Sequence, residues 1–529
     1  MHGKTIARAT VIIALYALLS KALGFIREIA LAFVFGANST SDAYLIAVSI
    51  PEIFFTILGG ALTMVVVPVF TSYLLEGRRE EAMRLFATLL TLLSLALVII
   101  ILIGIPLAGT IVSVIAPGLQ DATASLATVL VIVILPSILF LTLASLFYGL
   151  LNASNIFGPP AFGPVITNLF AILSIFAGLK FGISAAAVGI LVGNVMAMLL
   201  QLPYLRQVGF SCRLRFDFKN PEIRRILGLM LPIMGGTGLM QIYLVMNRIL
   251  ASGLPEGSIS ALNYASKVML LPQGIIVTAL STAIFPALSN SAASRDFASF
   301  NHTILRAAKV ALLIALPLGV GLAVLRFPII ELFFARGAFN KSDVAMTAFA
   351  LLCFAFGLVG HSLNPVIARG FFALQDTHTP FRIGMFTVAF NFILSLMLVR
   401  FLQHGGLALA NSISITVNSL ALFYLLARRI PGLAKMKNIS FISGLVVASL
   451  IAGTTAMLTD VFLSGMLSGG TLALALRLSV DMLLSVGVFI GACEVIKLDE
   501  YLCLRGLTKK FLIYLVASIR VSSLRVSNQ

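Results

Sequence analysis

Apolar runs of about twenty residues recur from one end of the chain to the other, separated by short polar segments. A run of that length crosses the hydrocarbon of a bilayer as a single helix. The pattern predicts helices near 9–35, 43–72, 85–111, 124–151, 161–179, 183–205, 224–250, 260–288, 304–326, 344–373, 380–401, 406–429, 441–461 and 471–497. The fold class is therefore all-α: a polytopic membrane protein with about 14 transmembrane helices. The start is basic and then apolar, as in a secretory leader. The apolar stretch continues past Lys21 with no small-residue cleavage site behind it, which predicts a retained first helix.

Charge at the ends of the spans gives an orientation. Lys4, Arg8, Arg78, Arg79, Arg84, Arg206, Arg213, Arg215, Lys219, Arg224, Arg225, Arg295, Arg306, Arg428, Arg429, Lys435, Lys437, Arg505, Lys509 and Lys510 fall on one side. Segments 36–42, 112–123 and 251–259, on the other side, carry no lysine or arginine. The positive-inside rule then puts both termini in the cytoplasm. One outer segment disagrees, with Arg326, Arg336 and Lys341 partly offset by Glu331 and Asp343.

The chain also repeats. Gly149 and Gly370, Pro159 and Pro380, and Arg27 and Arg248 are each 221 residues apart; Tyr44 and Tyr264 are 220 apart and Pro68 and Pro286 are 218 apart. Asn168 and Asn391, and Asn194 and Asn418, follow at 223 and 224. Six helices per copy is an even number, so both copies enter the membrane from the same side. The expected organisation is two parallel six-helix lobes, 1–205 and 224–429, joined by a cytoplasmic loop at 206–223. Two further helices in 430–497 and a basic cytoplasmic tail at 498–529 follow. Transporters built from such repeats bind substrate between their halves.

The charges inside the spans carry the chemistry. Ser20, Lys21, Gly24, Arg27 and Glu28 share one face of the first helix. A charge in hydrocarbon is expensive, so that stripe is expected to face protein or a water-filled cavity. Glu52, Arg248 and Lys267 complete a set of four cations and two anions, which suits a phosphate or pyrophosphate. Each residue also has a plainer reading. Lys21 can snorkel to a headgroup, Arg27 and Glu28 can pair with neighbouring helices, and Arg248 and Lys267 can anchor the interface. Glu52 can satisfy a helix broken at Pro51, and Asp42 can cap a first turn. Pro51, Gly24, Gly59 and Gly60 are the candidate hinge or gating positions. Arg477 and Asp481, four apart beside Asp460, read as a structural ion pair.

Composition narrows the classes. The chain is 60% apolar and 10% charged, with a formal charge of +17. The cations flank spans, which suits topology and anionic headgroups rather than nucleic acid. Cys212, Cys353, Cys493 and Cys503 have no metal-ligand spacing, and His2, His302, His361, His378 and His404 are scattered. No nucleotide-binding loop, zinc motif or paired-cysteine site occurs, so neither an enzyme nor a bound cofactor or metal is expected.

SKALGFIREIALAFVFGANSTSDAYLIAVSIPEIF (20–54), GGALTMVVVPVF (59–70), YGLLNASNIFGPPAFGPVITN (148–168), NYASKVMLLPQGIIVTALSTAIFPALS (263–289) and FFALQDTHTPFRIG (371–384) resemble the MurJ/MviN lipid II flippases. These belong to the multidrug/oligosaccharidyl-lipid/polysaccharide exporter superfamily. The resemblance implies a multi-pass protein of the bacterial inner membrane. It would carry undecaprenyl-pyrophosphate-linked peptidoglycan precursor outward by alternating access, through a cationic cavity. Lys21 falls where the family usually has a first essential arginine, and Arg27 on the second. Asp42 matches the acidic residue of the TDA/SDA motif, and Lys267 replaces the arginine of a YADR-like motif. PEIFFTILGG (51–60) lacks the arginines that many members carry after this proline. Partners implied are the lipid-linked pyrophosphoryl glycan and membrane lipids, with the chain acting as a monomer. Coupling would be to the membrane potential or a monovalent ion. The alternatives are a flippase for another lipid-linked oligosaccharide and a multidrug/cation antiporter. A drug antiporter for cations needs an acidic or aromatic cavity, so the cations here count against it.

Overall fold

The computed structural model describes residues 2–210, 217, 220–433, 439–467 and 469–498. Outside the described residues lie 211–216, 218 and 219 of the expected inter-lobe loop, with Cys212, Arg213, Arg215 and Lys219, and also Lys435, Lys437 and the tail from 499 onward. The side chains of 2–10, Lys4 and Arg8 among them, lie outside as well.

The described residues form helices and no β-strand. In chain order these are α1 (His2–Phe35), α2 (Ser39–Leu75), α3 (Arg79–Gly104), α4 (Ala108–Ile115), α5 (Asp121–Ile134) and α6 (Ser137–Ala153). Next come α7 (Gly158–Phe181), α8 (Ile183–Leu199), α9 (Leu202–Gln207), α10 (Pro221–Ser252), α11 (Ser258–Ala293) and α12 (Phe297–Val324). The rest are α13 (Arg326–Phe334), α14 (Lys341–Ala355), α15 (Leu358–Ala373), α16 (His378–Arg429), α17 (Ile439–Met466) and α18 (Gly470–Ile496). Among the described residues ten helical spans are long and apolar enough to cross a membrane, or eleven when α14 and α15, bent by 42°, count as one.

Several predicted spans are subdivided. Pro106 separates α3 from α4, and Pro136 separates α5 from α6. Proline removes a backbone donor and collides with the preceding turn. Pro51 and Pro68 nevertheless lie inside a continuous α2, so proline alone does not locate the breaks. Between α14 and α15 the cause is packing. A Cβ on Gly357 would stand 2.6 Å from Ser412 Oγ, so that turn admits only glycine. The two predicted helices 380–401 and 406–429 run together as α16, broken at Gln403 (φ 48°, ψ −128°).

Backbone breaks recur along the chain. Left-handed residues stand at Gly36, Gly77, Asn155, Gly182 and Gly209, and again at Gly257, Arg295, Gln375, Gln403 and Gly432. The offsets are 221, 218, 220, 221 and 223 residues. Arginine or glutamine replaces glycine or asparagine in three of these pairs, although the left-handed region costs side-chain-bearing residues about 1–2 kcal/mol. Chain geometry therefore recurs where residue type does not.

The chain forms two compact units: unit 1 is Met1–Tyr264 with Phe333–Met346, and unit 2 is Ala265–Leu332 with Thr347–Gln529. This division of compactness differs from the sequence lobes 1–205 and 224–429. In unit 1 the core packs Phe70, Phe147 and Phe210 around Phe86, edge-on or tilted, with ring centroids 4.8–6.0 Å from it. In unit 2 Phe300, Ile304, Phe371 and Leu426 are fully buried. Large apolar side chains such as Leu75, Phe401 and Leu483 point outward, as lipid-facing surfaces require.

The turn before α16 is held by charge. Asp376 accepts bonds from Thr379 N (3.0 Å) and Thr379 Oγ1 (2.6 Å) and pairs with Arg429. Burial would push this carboxyl up, but the Thr379 bonds and the Arg429 guanidinium outweigh it and hold it below its ordinary value. A depressed folded value means that its stabilisation is present above about pH 4 and is lost as pH falls through the folded value. Thermal unfolding of wild type and Asp376→Asn should therefore differ near neutral pH and converge in acid. A difference that persists in strong acid contradicts this.

Candidate functional site

The polar stripe of α1 divides among different partners. The Ser20 carbonyl and hydroxyl accept from Asn168 Nδ2 of α7 at 3.2 and 3.4 Å. A Cβ on Gly24 would meet the same amide at 3.8 Å. Arg27 Nη2 donates to Glu28 Oε1 at 2.8 Å, and Glu28 Oε2 accepts from Asn263 Nδ2 of α11 at 2.8 Å. Glu28 is buried, while about a fifth of the Arg27 side chain is exposed (21%). Lys21 is exposed. The stripe is thus partly a packing face toward α7 and partly a charged link to α11.

One end of unit 1 is built from four turns. Asp42, in the first turn of α2, was expected to serve substrate or to cap its own helix. Asn38 caps α2 instead, its Oδ1 accepting from Thr40 N and Ser41 N. Asp42 is buried and turns to α11: Oδ2 accepts from Gly257 N at 2.8 Å, and Oδ1 from Ser260 N at 2.8 Å and Ser260 Oγ at 2.6 Å. The first amides of a helix have no partner within it, and its amino terminus favours a carboxylate. Backbones approach closely here. A Cβ on Gly257 would lie 2.2 Å from the Ala37 carbonyl, and one on Gly337 2.2 Å from that of Phe33. Asp343 Oδ2 accepts from Ala37 N at 3.2 Å, and Tyr264 Oη donates to the Gly36 carbonyl at 3.1 Å. Gly118 N donates to Ser252 Oγ at 3.0 Å. Phe25, Tyr264, Phe333, Phe334 and Phe339 pack beneath these turns. We call this assembly the clasp.

Arg248 of α10 lies in electrostatic range of Glu52, Asp42 and Glu28, and Arg27 in range of Glu28 and Glu52. Within this cluster two guanidiniums face three carboxylates, so the cation excess counted from the sequence is not located in it. That excess rests on Lys21 and on Lys267, which is exposed on the part of α11 in unit 2. Pro51 is buried inside α2, Gly59 packs against Ser145, and Gly60 faces open space.

Sequence reasoning did not single out Asn263, Ser260 or the Tyr44 hydroxyl. Among the described residues, Tyr44 Oη is buried without a hydrogen-bond partner, beside Arg27, Glu28 and Glu52. Asn263 stands 221 positions after Asp42, so the repeat offset could have revealed it.

Comparison with known proteins adds the following. The family model described as "Lipid II flippase MurJ" matches residues 31–477, a range that begins beyond Ser20–Glu28. A protein of Vibrio cholerae serotype O1 named "Probable lipid II flippase MurJ" is 30% identical over 435 residues, covering 80% of this chain and 83% of its own. A "Lipid II flippase MurJ" of Burkholderia cenocepacia is 31% identical over 432 residues, covering 80% and 84%. A solved structure described as "Lipid II flippase MurJ, inward closed conformation" superposes with a TM-score of 0.79 at 26% identity, over 92% of this chain and 99% of that one. An inward-facing multidrug transporter of the MATE family shares the fold, with a TM-score of 0.67 at 17% identity over 81% and 99%.

Asp42→Ala would leave the Gly257 and Ser260 amides buried without their acceptor. Each lost bond to the carboxylate is worth about 1.5–3 kcal/mol. Purified Asp42→Ala should unfold at a lower temperature than wild type, with Asp42→Asn in between. Equal midpoints would mean that the carboxylate does not hold the clasp.

Proposed function

The chain belongs to the lipid II flippase MurJ family, and from this premise we infer that it moves lipid II across the bacterial cytoplasmic membrane. The cargo is undecaprenyl-pyrophosphate-linked peptidoglycan precursor, carried from the inner leaflet to the outer. The observation that carries the reading is the family match over residues 31–477. The activity is transport and makes or breaks no bond of the lipid.

Fourteen spans in two parallel six-helix lobes plus two accessory helices fit the structure. Support comes from the break at Gln403, which divides the 52-residue α16, and from α1 and α11, which are 34 and 36 residues long. The five recurring left-handed breaks support the repeat. The clasp gathers turns from 36–42, 112–123, 251–259 and 333–343, and the first three of these lack lysine and arginine, as the positive-inside rule expects of outer segments. At the other end Arg79 donates to the Val208 carbonyl at 2.7 Å, which fits a cytoplasmic position for both segments. In this orientation the clasp closes the outer face, both termini are cytoplasmic, and the substrate enters from within.

Arg27 is the residue best suited to meet the diphosphate. It is partly exposed, and its bond to Glu28 uses one of five guanidinium donors. A diphosphate that draws Arg27 away leaves Glu28 buried with less compensation, which disfavours the closed arrangement at the start of α11 relative to one in which Glu28 reaches water. Binding at one level of α1 would thereby loosen the clasp at the next, as alternating access requires. Lys21 and Arg248 add positive charge in unit 1 and Lys267 adds it in unit 2, and Glu52 balances Arg248. Gly60, with open space beside it, is the hinge candidate with most freedom to move. Outward passage of an anion gains about 2.3 kcal/mol per charge per 100 mV from an inside-negative potential. Monomeric action, with no nucleic-acid partner and no bound cofactor, suffices for this cycle.

The test is complementation in a bacterium whose own flippase can be depleted and which has no redundant one. Outer-leaflet lipid II is then measured. This chain should restore exposure and Arg27→Ala should not. Failure of the wild-type chain to restore exposure, despite normal membrane insertion, overturns the assignment. Vesicles carrying other polyprenyl-linked glycans separate lipid II from related cargo.

A further inference from the structure

The accessory pair α17–α18 carries three ionisable groups of its own. Asp481 lies eleven residues into α18, roughly 16 Å along the helix axis, and is fully buried. Neither of its carboxyl oxygens has a hydrogen bond of ordinary geometry. Asp460 and Thr459 of α17 and Arg477 of α18 border it. Arg477 Nε stands 2.7 Å from Asp460 Oδ1, an ion pair by distance with the N–H directed off the line to the oxygen. Thr459 Oγ1 already donates to the Thr455 and Ala456 carbonyls.

The charge count does not balance if every group is ionised. One guanidinium can compensate one carboxylate, and Arg477 sits against Asp460. A second carboxylate, fully buried and with only the Thr459 hydroxyl beside it as a donor, is strongly disfavoured in this setting. Among the described residues, no other charge is placed to relieve it from the helices packed against this region. On α12, His302, Arg306 and Lys309 lie in the first half of the helix, and Lys309 sits over the Phe441 ring at the opposite end of α17. On α13, Arg326 donates to the Ala323 carbonyl and Glu331 is exposed. Apolar Leu325, Ala456 and Leu478 pack beside the group.

We propose that Asp460 and Asp481 form a proton-binding site in the accessory hairpin, sharing one proton while Arg477 balances the remaining negative charge. The proton is held while the two helices are packed together and is released when water reaches Asp481. Low pH therefore favours the packed hairpin and rising pH loosens it. The site stands on its own geometry. Only its use as a coupling group rests on the flippase reading, and the transport assay above tests that reading separately.

Carbodiimides that partition into hydrocarbon modify protonated buried carboxyls, so full-length protein in lipid nanodiscs is treated with such a reagent and mapped by mass spectrometry. Wild type should carry an adduct on Asp481 or Asp460 that declines as the buffer is made alkaline. Asp460→Asn should abolish labelling at Asp481 near neutral pH, because Arg477 then has a single carboxylate to pair with. Arg477→Gln should bring labelling to both aspartates. A merely structural pair predicts no transfer of labelling between the two positions. Absence of any adduct in acid, an adduct indifferent to pH and to Asp460→Asn, or protection by sodium at constant pH each overturns the proposal, the last in favour of a metal-cation site. If a variant fails to fold, the wild-type pH series decides.

Discussion

The carboxylate of Asp42 against the amino terminus of α11 is the interaction on which the rest of unit 1 depends. It answers two amides that their own helix cannot satisfy, and it does so from a turn made of close backbone contacts. With the Gly257 Cβ position only 2.2 Å from the Ala37 carbonyl, no side chain can intervene between the two segments. Polar groups shut away from water must find partners in protein. That requirement brings Asp42, Asp343, Tyr264 and the Gly36 carbonyl together, although the sequence spreads them over three hundred residues.

In the proposed cycle, binding and closure share atoms. Glu28 holds Arg27 with one oxygen and Asn263 with the other. Asn263 is three residues beyond Ser260, which holds Asp42. On the proposed reading, an anion that competes for Arg27 acts on the same stretch of α11 that completes the clasp. Coupling of this kind needs no long pathway, because two bonds on one carboxylate suffice.

Much of this was legible in the chain. The membrane spans follow from apolar runs, and Ser20–Glu28 declared itself because charges in hydrocarbon need a reason. The repeat offset near 221 returned in the backbone itself, at Gly36 and Gly257 and at Gly182 and Gln403. What could not be read were the partners. Asp42 looks like the cap of its own helix, and only folding brings the start of α11 to it while Asn38 takes the local role. A cation count cannot show that Arg27 and Arg248 sit among three carboxylates while Lys21 and Lys267 are exposed. At α17–α18 the four-residue spacing pointed to an Arg477–Asp481 pair, whereas Arg477 turns to Asp460. Spacing on one helix says nothing of a competitor on the next.

The central claim is that substrate at Arg27 releases the start of α11 from Asp42. Hydrogen exchange at the Gly257 and Ser260 amides reads this directly, since Asp42 is the acceptor of both. Without substrate both amides should exchange slowly. Addition of lipid II should accelerate them in wild type and leave them slow in Arg27→Gln. Slow exchange in wild type that is saturated with lipid II and actively flipping it would contradict the account.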